Sequence, residues 1–174
     1  AYHEAGHAIL QLMRSRGAGL GLASIIPRDD GKLGFIVPSV DETRYSETRQ
    51  DIIETLRVAL AGRAAEEILG GRDSVTTGCY NDLHMATQHV QYLLTRAGYH
   101  GLLSLDRMLD EDSDLRVQAE DILQAEYAHV LSVLNRHRAL LDQVAQLLIE
   151  RQEVSGDELM SLYDAYRART PGLQ

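Results

Sequence analysis

The sequence has few of the residues that mark disulfide-bonded, membrane-spanning or nucleic-acid-binding proteins. Its single cysteine, Cys79, excludes an internal disulfide and favours a reducing compartment. No apolar run approaches the ~18 residues that a membrane-spanning helix needs, and no signal-peptide pattern opens the chain. Lysine occurs once, and 26 acidic against 17 basic residues give a formal net charge of −9. Phosphate binding needs clustered positive charge, so nucleic acid is excluded as a partner.

The spacing of apolar residues predicts a mainly α protein with one small sheet. Six segments have helical spacing: 1–16, about 48–70, about 81–96, one from about 114, 138–152, and one from a cap at Ser155 that ends near Pro171. Thr48 and Asp51 resemble a capping box at the start of the second helix. Two β-type runs, 22–27 and 33–38, flank an Asp-Gly turn and predict a hairpin.

The opening segment AYHEAGHA contains the pattern HExxH at His3, Glu4 and His7. On a helix, His3 and His7 project from one face one turn apart, so both imidazoles can reach a zinc ion at ~2.0–2.1 Å. Glu4 is rotated by about 100° from His3 and can act as general base on a metal-bound water without being a ligand. The segment therefore predicts a catalytic zinc site.

The pattern also has a plain alternative, a pair of structural histidines on an amphipathic helix. Roughly 2 of 100 sequences of this composition would contain HExxH by chance. Gly6 favours the functional interpretation, because a glycine inside a helix costs ~1 kcal/mol relative to alanine. We therefore expect another segment to pack closely against Gly6.

A catalytic zinc needs a third protein ligand and an open position. The metzincin continuation HExxHxxGxxH is excluded, because Leu10 and Met13 occupy the positions that it requires to be Gly and His. The remaining candidates are the adjacent pair Glu66-Glu67 in GRAAEEI and Asp82 in TTGCYNDL. All three are acidic residues among apolar neighbours, so spacing alone leaves the choice open.

Four blocks in order, AYHEAGHA, SIIPR, LAGRAAEEI and VTTGCYNDLHMAT, resemble the peptidase domain of the FtsH-like ATP-dependent zinc metalloproteases. The resemblance extends over nearly the whole chain. It implies that Asp82 is the third zinc ligand beside His3 and His7, and that Glu4 is the catalytic glutamate.

By the same resemblance, Glu66 or Glu67 becomes a group that orients a ligand imidazole, as metal-bound histidines usually require. The alternative for these glutamates is a salt bridge with Arg63 on the same helix. Cys79 stands where the family more often has a small apolar residue, and we expect it to pack as a small hydrophobe rather than to bind metal.

The resemblance also carries expectations about the larger protein. Family members have an ATPase module and membrane-spanning segments ahead of the peptidase domain and assemble as hexameric rings. The resemblance implies that the substrates are unfolded proteins or membrane proteins. It also implies a membrane anchor outside this chain, with the peptidase domain on the cytoplasmic side, as in bacteria. The chain has no G-x-x-x-x-G-K-[ST] motif, so ATP binding is not predicted for these residues.

We expect residues 1–174 to form a single zinc peptidase domain, with the metal site and small sheet in 1–112 and further helices in 113–174. Because His3 leaves almost no first turn ahead of it, we expect a fragment of a longer chain.

The run around Gly34, Phe35 and Ile36 is predicted either as an edge strand on which an extended substrate adds a further strand, or simply as a core strand. The rival to a protease is a non-catalytic, ring-forming helical interaction domain whose zinc site is structural or decayed. A zinc hydrolase acting on something other than protein is a third interpretation.

Overall fold

A computed structural model describes residues 1–15, 19–27, 33–39, 46–97 and 113–173. Within these ranges the chain forms six α-helices and one three-stranded antiparallel sheet, so the predicted mainly α class is confirmed. The elements in chain order are α1 (Tyr2–Leu12), β1 (Leu20–Ser24), β2 (Phe35–Pro38), α2 (Arg49–Gly70), α3 (Tyr80–Thr95), α4 (Ser113–Arg136), α5 (Arg138–Arg151), β3 (Glu153–Ser155) and α6 (Gly156–Arg169).

The hydrophobic core forms where α1 crosses the long helix α2. On α1, Ala5, Ala8 and Ile9 are fully buried. Gly6 lies directly against the backbone of α2, since a Cβ at this position would collide with the carbonyl oxygen of Ala61. The close packing predicted from the glycine is confirmed, and it explains why a residue unfavourable to helices occurs in this turn.

α1 is shorter than the sequence predicts. It ends at Leu12, whereas helical spacing suggested residue 16. Instead of continuing the helix, the Ser15 backbone N–H and hydroxyl donate to the carboxylate of Glu54 on α2, the hydroxyl at 2.6 Å. A side-chain acceptor thus replaces the helical carbonyl, and the local apolar pattern contained no sign of it.

The small sheet has the strand order β2-β1-β3. β1 pairs antiparallel with β2, as the hairpin prediction requires, and the predicted turn at 28–32 lies outside the described residues. The third strand is a correction: Val154 of β3 pairs with Ala23 on the other side of β1, where the sequence indicated only a helix cap. Gly156 permits this approach, because a Cβ there would collide with the Leu20 carbonyl oxygen.

Both predicted helix caps are present. The Thr48 hydroxyl and the Asp51 carboxylate form a reciprocal capping box at the start of α2. At the start of α6, the Ser155 hydroxyl accepts from the N–H of Glu158 at 3.3 Å.

The C-terminal helices continue the same buried core: α4 packs on α2, and α5 packs on α1. Their fully buried side chains are aliphatic, among them Leu134, Leu141, Leu148 and Leu159. None of the helices in the described ranges is long and apolar enough to cross a membrane.

Candidate metal centre

α1 brings the two predicted histidines together. His3 and His7 lie one turn apart, and their Nε2 atoms are 3.0 Å from each other. His7 is 6% exposed, and the neighbouring Glu4 is 8% exposed. Two imidazoles therefore meet at the edge of the core with their Nε2 atoms directed at one point.

The first turn of α3 adds Asp82 to this pair. Its Oδ2 atom lies 3.0 Å from His3 Nε2 and 3.5 Å from His7 Nε2. Among the residues that the structure describes, His3, His7 and Asp82 form the one cluster of side chains able to hold a metal ion. Glu66 contacts the opposite ring nitrogen of His3, and Glu67 contacts Tyr127, so of the third-ligand candidates only Asp82 joins the two Nε2 atoms.

The partners of the opposite ring nitrogens fix the tautomers. The Nδ1–H of His3 donates to the Glu66 carboxylate at 2.8 Å, and the Nδ1–H of His7 donates to the Val58 carbonyl at 2.7 Å. Both partners are pure acceptors, so each neutral imidazole carries its proton on Nδ1. Each Nε2 then presents a lone pair toward the other Nε2 and toward the Asp82 carboxylate.

Three electron-pair donors that converge in this way repel one another unless a cation lies between them. In a tetrahedral zinc site with bonds of ~2.1 Å, neighbouring ligand atoms are about 3.4 Å apart. The separations of 3.0, 3.0 and 3.5 Å found here are close to that value. The two-imidazole, one-carboxylate set is also a donor set that zinc accepts, so the residues present fit the metal.

The pKa values of two members of the cluster are shifted by their close approach. Burial alone would raise the pKa of Asp82, but the neighbouring His3 and His7 imidazoles hold it well below the usual range. Burial lowers the pKa of His3, yet the hydrogen bond to Asp82 and the charge of Glu4 outweigh that effect and raise it. The two shifts share one cause, the close approach of the His3 imidazole to the Asp82 carboxylate.

Glu4 adjoins the cluster in sequence but is not one of its three members. Burial raises the pKa of its carboxyl group, and the nearby His7 and His3 only partly offset this. A carboxylate with a raised pKa takes up a proton more readily than an exposed one near neutral pH. The residue just ahead of β2 approaches it closely: a Cβ on Gly34 would lie 2.6 Å from Glu4 Oε1.

The glutamates of GRAAEEI have separate partners. Glu66 accepts from His3 Nδ1 with Oε1 and from the Thr76 backbone N–H with Oε2 at 2.6 Å. Glu67 points away from the cluster and accepts from the Tyr127 hydroxyl at 2.7 Å. The sequence could not tell which of the two glutamates contacts a ligand histidine. Adjacent residues on a helix point in different directions, and their partners are known only from the tertiary structure.

Gly62 is the residue of the site that sequence reasoning missed. A Cβ at this position would lie 2.5 Å from His7 Nε2 and 2.6 Å from His3 Nε2. α2 therefore passes the two donor atoms with bare backbone. The signal was available, because a glycine in the middle of a helix implies close packing, the argument already applied to Gly6.

Cys79 packs away from the cluster, as expected of a small hydrophobe. It is 5% exposed, and its thiol donates to the Thr76 carbonyl at 3.3 Å. His84, on the exposed side of α3, lies 3.1 Å from the Gln88 amide.

Residues 1–114 match the model of peptidase family M41, and the chain belongs to this family. Among similar proteins is "ATP-dependent zinc metalloprotease FTSH 9, chloroplastic/mitochondrial" of Oryza sativa subsp. japonica, 34% identical over 96% of this chain. The "ATP-dependent zinc metalloprotease YME1 homolog" of Schizosaccharomyces pombe is 33% identical over 91% of it. "ATP-dependent zinc metalloprotease FtsH" of Clostridium perfringens is 31% identical over 93% of it.

The chain spans 22%, 23% and 25% of the lengths of these three relatives. The resemblance to the FtsH-like peptidase domain is confirmed, and the chain is a protease-family domain whose relatives are named as zinc enzymes.

Proposed function

We propose that this chain is a zinc-dependent endopeptidase domain in which His3, His7 and Asp82 hold the metal and Glu4 is the general base. The observation that carries the proposal is the convergence of three lone-pair donors beside the buried carboxylate of Glu4. A structural zinc site has no need of such a base, so the presence of Glu4 favours catalysis over a purely structural metal.

A bound zinc ion supplies a Lewis acid and lowers the pKa of water at its open position. Glu4 accepts the proton of the attacking water and delivers it to the amine nitrogen of the leaving product. Glu66 and the Val58 carbonyl keep both Nδ1 atoms protonated, so both Nε2 atoms stay available as ligands. Gly62 leaves these atoms unobstructed.

We further propose that substrate binds as an added strand along β2. This strand lies at the edge of the sheet, and no other strand in the described part of the chain covers its outer side. Phe35 and Ile36 are half-buried, and Gly34 contacts Glu4, so a peptide paired there would pass the base. Backbone pairing tolerates varied side chains, which suits unfolded polypeptides as substrates.

The larger assembly is also a proposal, and it rests on the family. The relatives are named ATP-dependent, and the chain covers about a quarter of their length. We propose that the domain works in a homo-hexameric ring with an ATPase module, anchored to a membrane by segments outside these residues and exposed on the cytoplasmic side.

Digestion of an unfolded protein such as casein tests the proposed catalysis. Glu4→Gln removes the base and leaves the ligands, so hydrolysis should fall by about 10²–10⁴-fold while zinc content stays at the wild-type level. His84→Asn, on the exposed side of α3, is the control and should change neither quantity. Glu4→Gln protein that digests casein at the wild-type rate would contradict the role of Glu4.

If the wild-type chain binds zinc, but neither it nor its full-length parent protein digests casein, the non-catalytic interaction domain would be the favoured alternative. Hydrolysis of a non-protein substrate by that same protein would support the third interpretation.

A further inference from the structure

The segment between α2 and α3 determines where Asp82 lies. Residues 71–79 contain two short 3₁₀ turns, and Asp82 follows in the first turn of α3. Glu66 holds this segment at the Thr76 N–H. A second attachment is at its end, where the thiol of Cys79, the residue that precedes α3, lies 3.8 Å from Nη1 of Arg63.

Arg63 is itself held from another helix. Its guanidinium carbon lies 5.7 Å from the centroid of the Tyr127 ring of α4, within the range of a cation–π contact. The Tyr127 hydroxyl donates to Glu67, one turn along α2 from Arg63. Burial and the Glu67 carboxylate raise the pKa of Tyr127 well above its usual value, so the hydroxyl remains a donor.

These contacts form a path from α4 to the metal centre. Tyr127 fixes the guanidinium of Arg63, which contacts Cys79, and Cys79 is three residues ahead of Asp82 in the same turn. A cation held between an aromatic face and a thiol has few alternative positions, whereas a free arginine samples many rotamers. α4 lies almost wholly beyond residues 1–114 that match the family model.

We propose that Tyr127 is a positioning residue of the metal centre, acting through Arg63 and Cys79 on the placement of Asp82. This inference rests on the proposed zinc site. It assigns the C-terminal helix α4 a part in metal affinity, in addition to its part in the core. The simpler alternative is that Tyr127 only contributes packing between α4 and α2.

The two parts of the Tyr127 side chain can be separated by substitution. Tyr127→Leu removes both the ring beneath Arg63 and the hydroxyl on Glu67, whereas Tyr127→Phe keeps the ring. Tyr163→Leu is a matched control, because Tyr163 has an arginine 5.6 Å from its ring centroid on α6, in a pair that does not contact the metal cluster. Both leucine variants lose a half-buried tyrosine and a cation–π contact.

The measurement is zinc affinity by chelator competition on each purified chain, with the visible spectrum of bound Co²⁺ as a report on ligand geometry. We expect Tyr127→Leu to weaken zinc binding by about tenfold, the lower end of the effect of outer-shell partners. Its Co²⁺ spectrum should also change. Tyr127→Phe should stay within about threefold of wild type, because the ring–Arg63 contact remains. Tyr163→Leu should keep wild-type affinity and spectrum.

Variants of Arg63 test the same path without touching α4. Arg63→Met should weaken zinc binding as much as Tyr127→Leu, and Arg63→Lys should restore part of the loss by keeping the charge. Combining Arg63→Met with Tyr127→Leu should cause no further loss, since both act through one contact. This set decides the matter even if Tyr127→Leu fails to fold.

Wild-type zinc affinity and Co²⁺ spectrum in folded Tyr127→Leu or Arg63→Met would overturn the positioning role. A matching loss of zinc affinity in Tyr163→Leu would do the same, because it would indicate a general packing effect. In either case normal zinc binding by the wild-type chain would leave the proposed function intact. A wild-type chain that binds no zinc would overturn both.

Discussion

The two halves of the molecule bury different kinds of side chain. Before residue 97, the helices enclose polar groups as well as apolar ones, among them Glu4, His7, Asp51 and Glu54. In the described residues from 113 onward, the core is built from aliphatic side chains and one tyrosine, with no acid or histidine among its buried members. Buried polar groups cost free energy unless they are paired, so the first half depends on paired polar groups as well as apolar packing, whereas the core of the second half depends on apolar packing.

The largest expected effect comes from metal binding itself. If the convergent donors of the first half need a cation, adding zinc at 1,000 times its Kd should raise the free energy of unfolding by about 4 kcal/mol. Chelator should reverse the gain and abolish hydrolysis. Urea unfolding with and without zinc measures this. Identical urea midpoints with and without zinc would contradict the claim that the donors of the first half need a cation.

A substitution in the second half should have a different signature. Leu141 is fully buried on α5, so Leu141→Ala should lower the free energy of unfolding by about 2–5 kcal/mol through lost apolar contacts and a cavity. The increment that zinc adds should remain as in wild type, because no metal ligand lies on α5. The same urea experiment reports both quantities, and a halved zinc increment would show that the halves are not separable.

Gly62→Ala, in the first half, should instead weaken zinc binding. The added Cβ would lie within 2.6 Å of both histidine Nε2 atoms, so zinc affinity should fall by tenfold or more, about 1.4 kcal/mol or greater. Chelator competition measures the loss. Gly172→Ala is the control, because nothing lies within 4 Å of a Cβ there. Unchanged zinc affinity in Gly62→Ala would mean that the imidazoles do not need the space.

The smallest effect should be equal in both halves. Thr48→Ala and Ser155→Ala each remove a helix cap, one on α2 and one on α6, and each should cost about 1 kcal/mol. Neither should alter zinc affinity. Thermal unfolding monitored by circular dichroism is sufficient. A much larger cost for Ser155→Ala would indicate that its place in β3 matters more than its hydroxyl.

Sequence reasoning succeeded where the physics is local. Apolar spacing and the hydroxyl caps at Thr48 and Ser155 identified the helices, because each of these depends on residues within one or two turns. The three residues of β3 carry no alternating pattern of their own and exist only because β1 lies beside them. Their pairing required the tertiary structure.

The same division applies to the site. The motif HEAGH gave His3, Glu4 and His7 as a set, because helical geometry alone brings them together. Two other features depend on contacts between residues 60 or more positions apart in sequence. One is the choice of Glu66 over Glu67 as the partner of His3, and the other is the contact of Tyr127 with Glu67. No local spacing encodes those contacts.

Zinc content of the purified chain and of two matched variants tests the central claim most directly. The account predicts about one zinc per wild-type chain, loss of the metal in Asp82→Asn, and full retention in Glu67→Gln, because of these two acids Asp82 alone lies beside both histidine Nε2 atoms. Full zinc in Asp82→Asn together with its loss in Glu67→Gln would contradict the assignment of the metal centre.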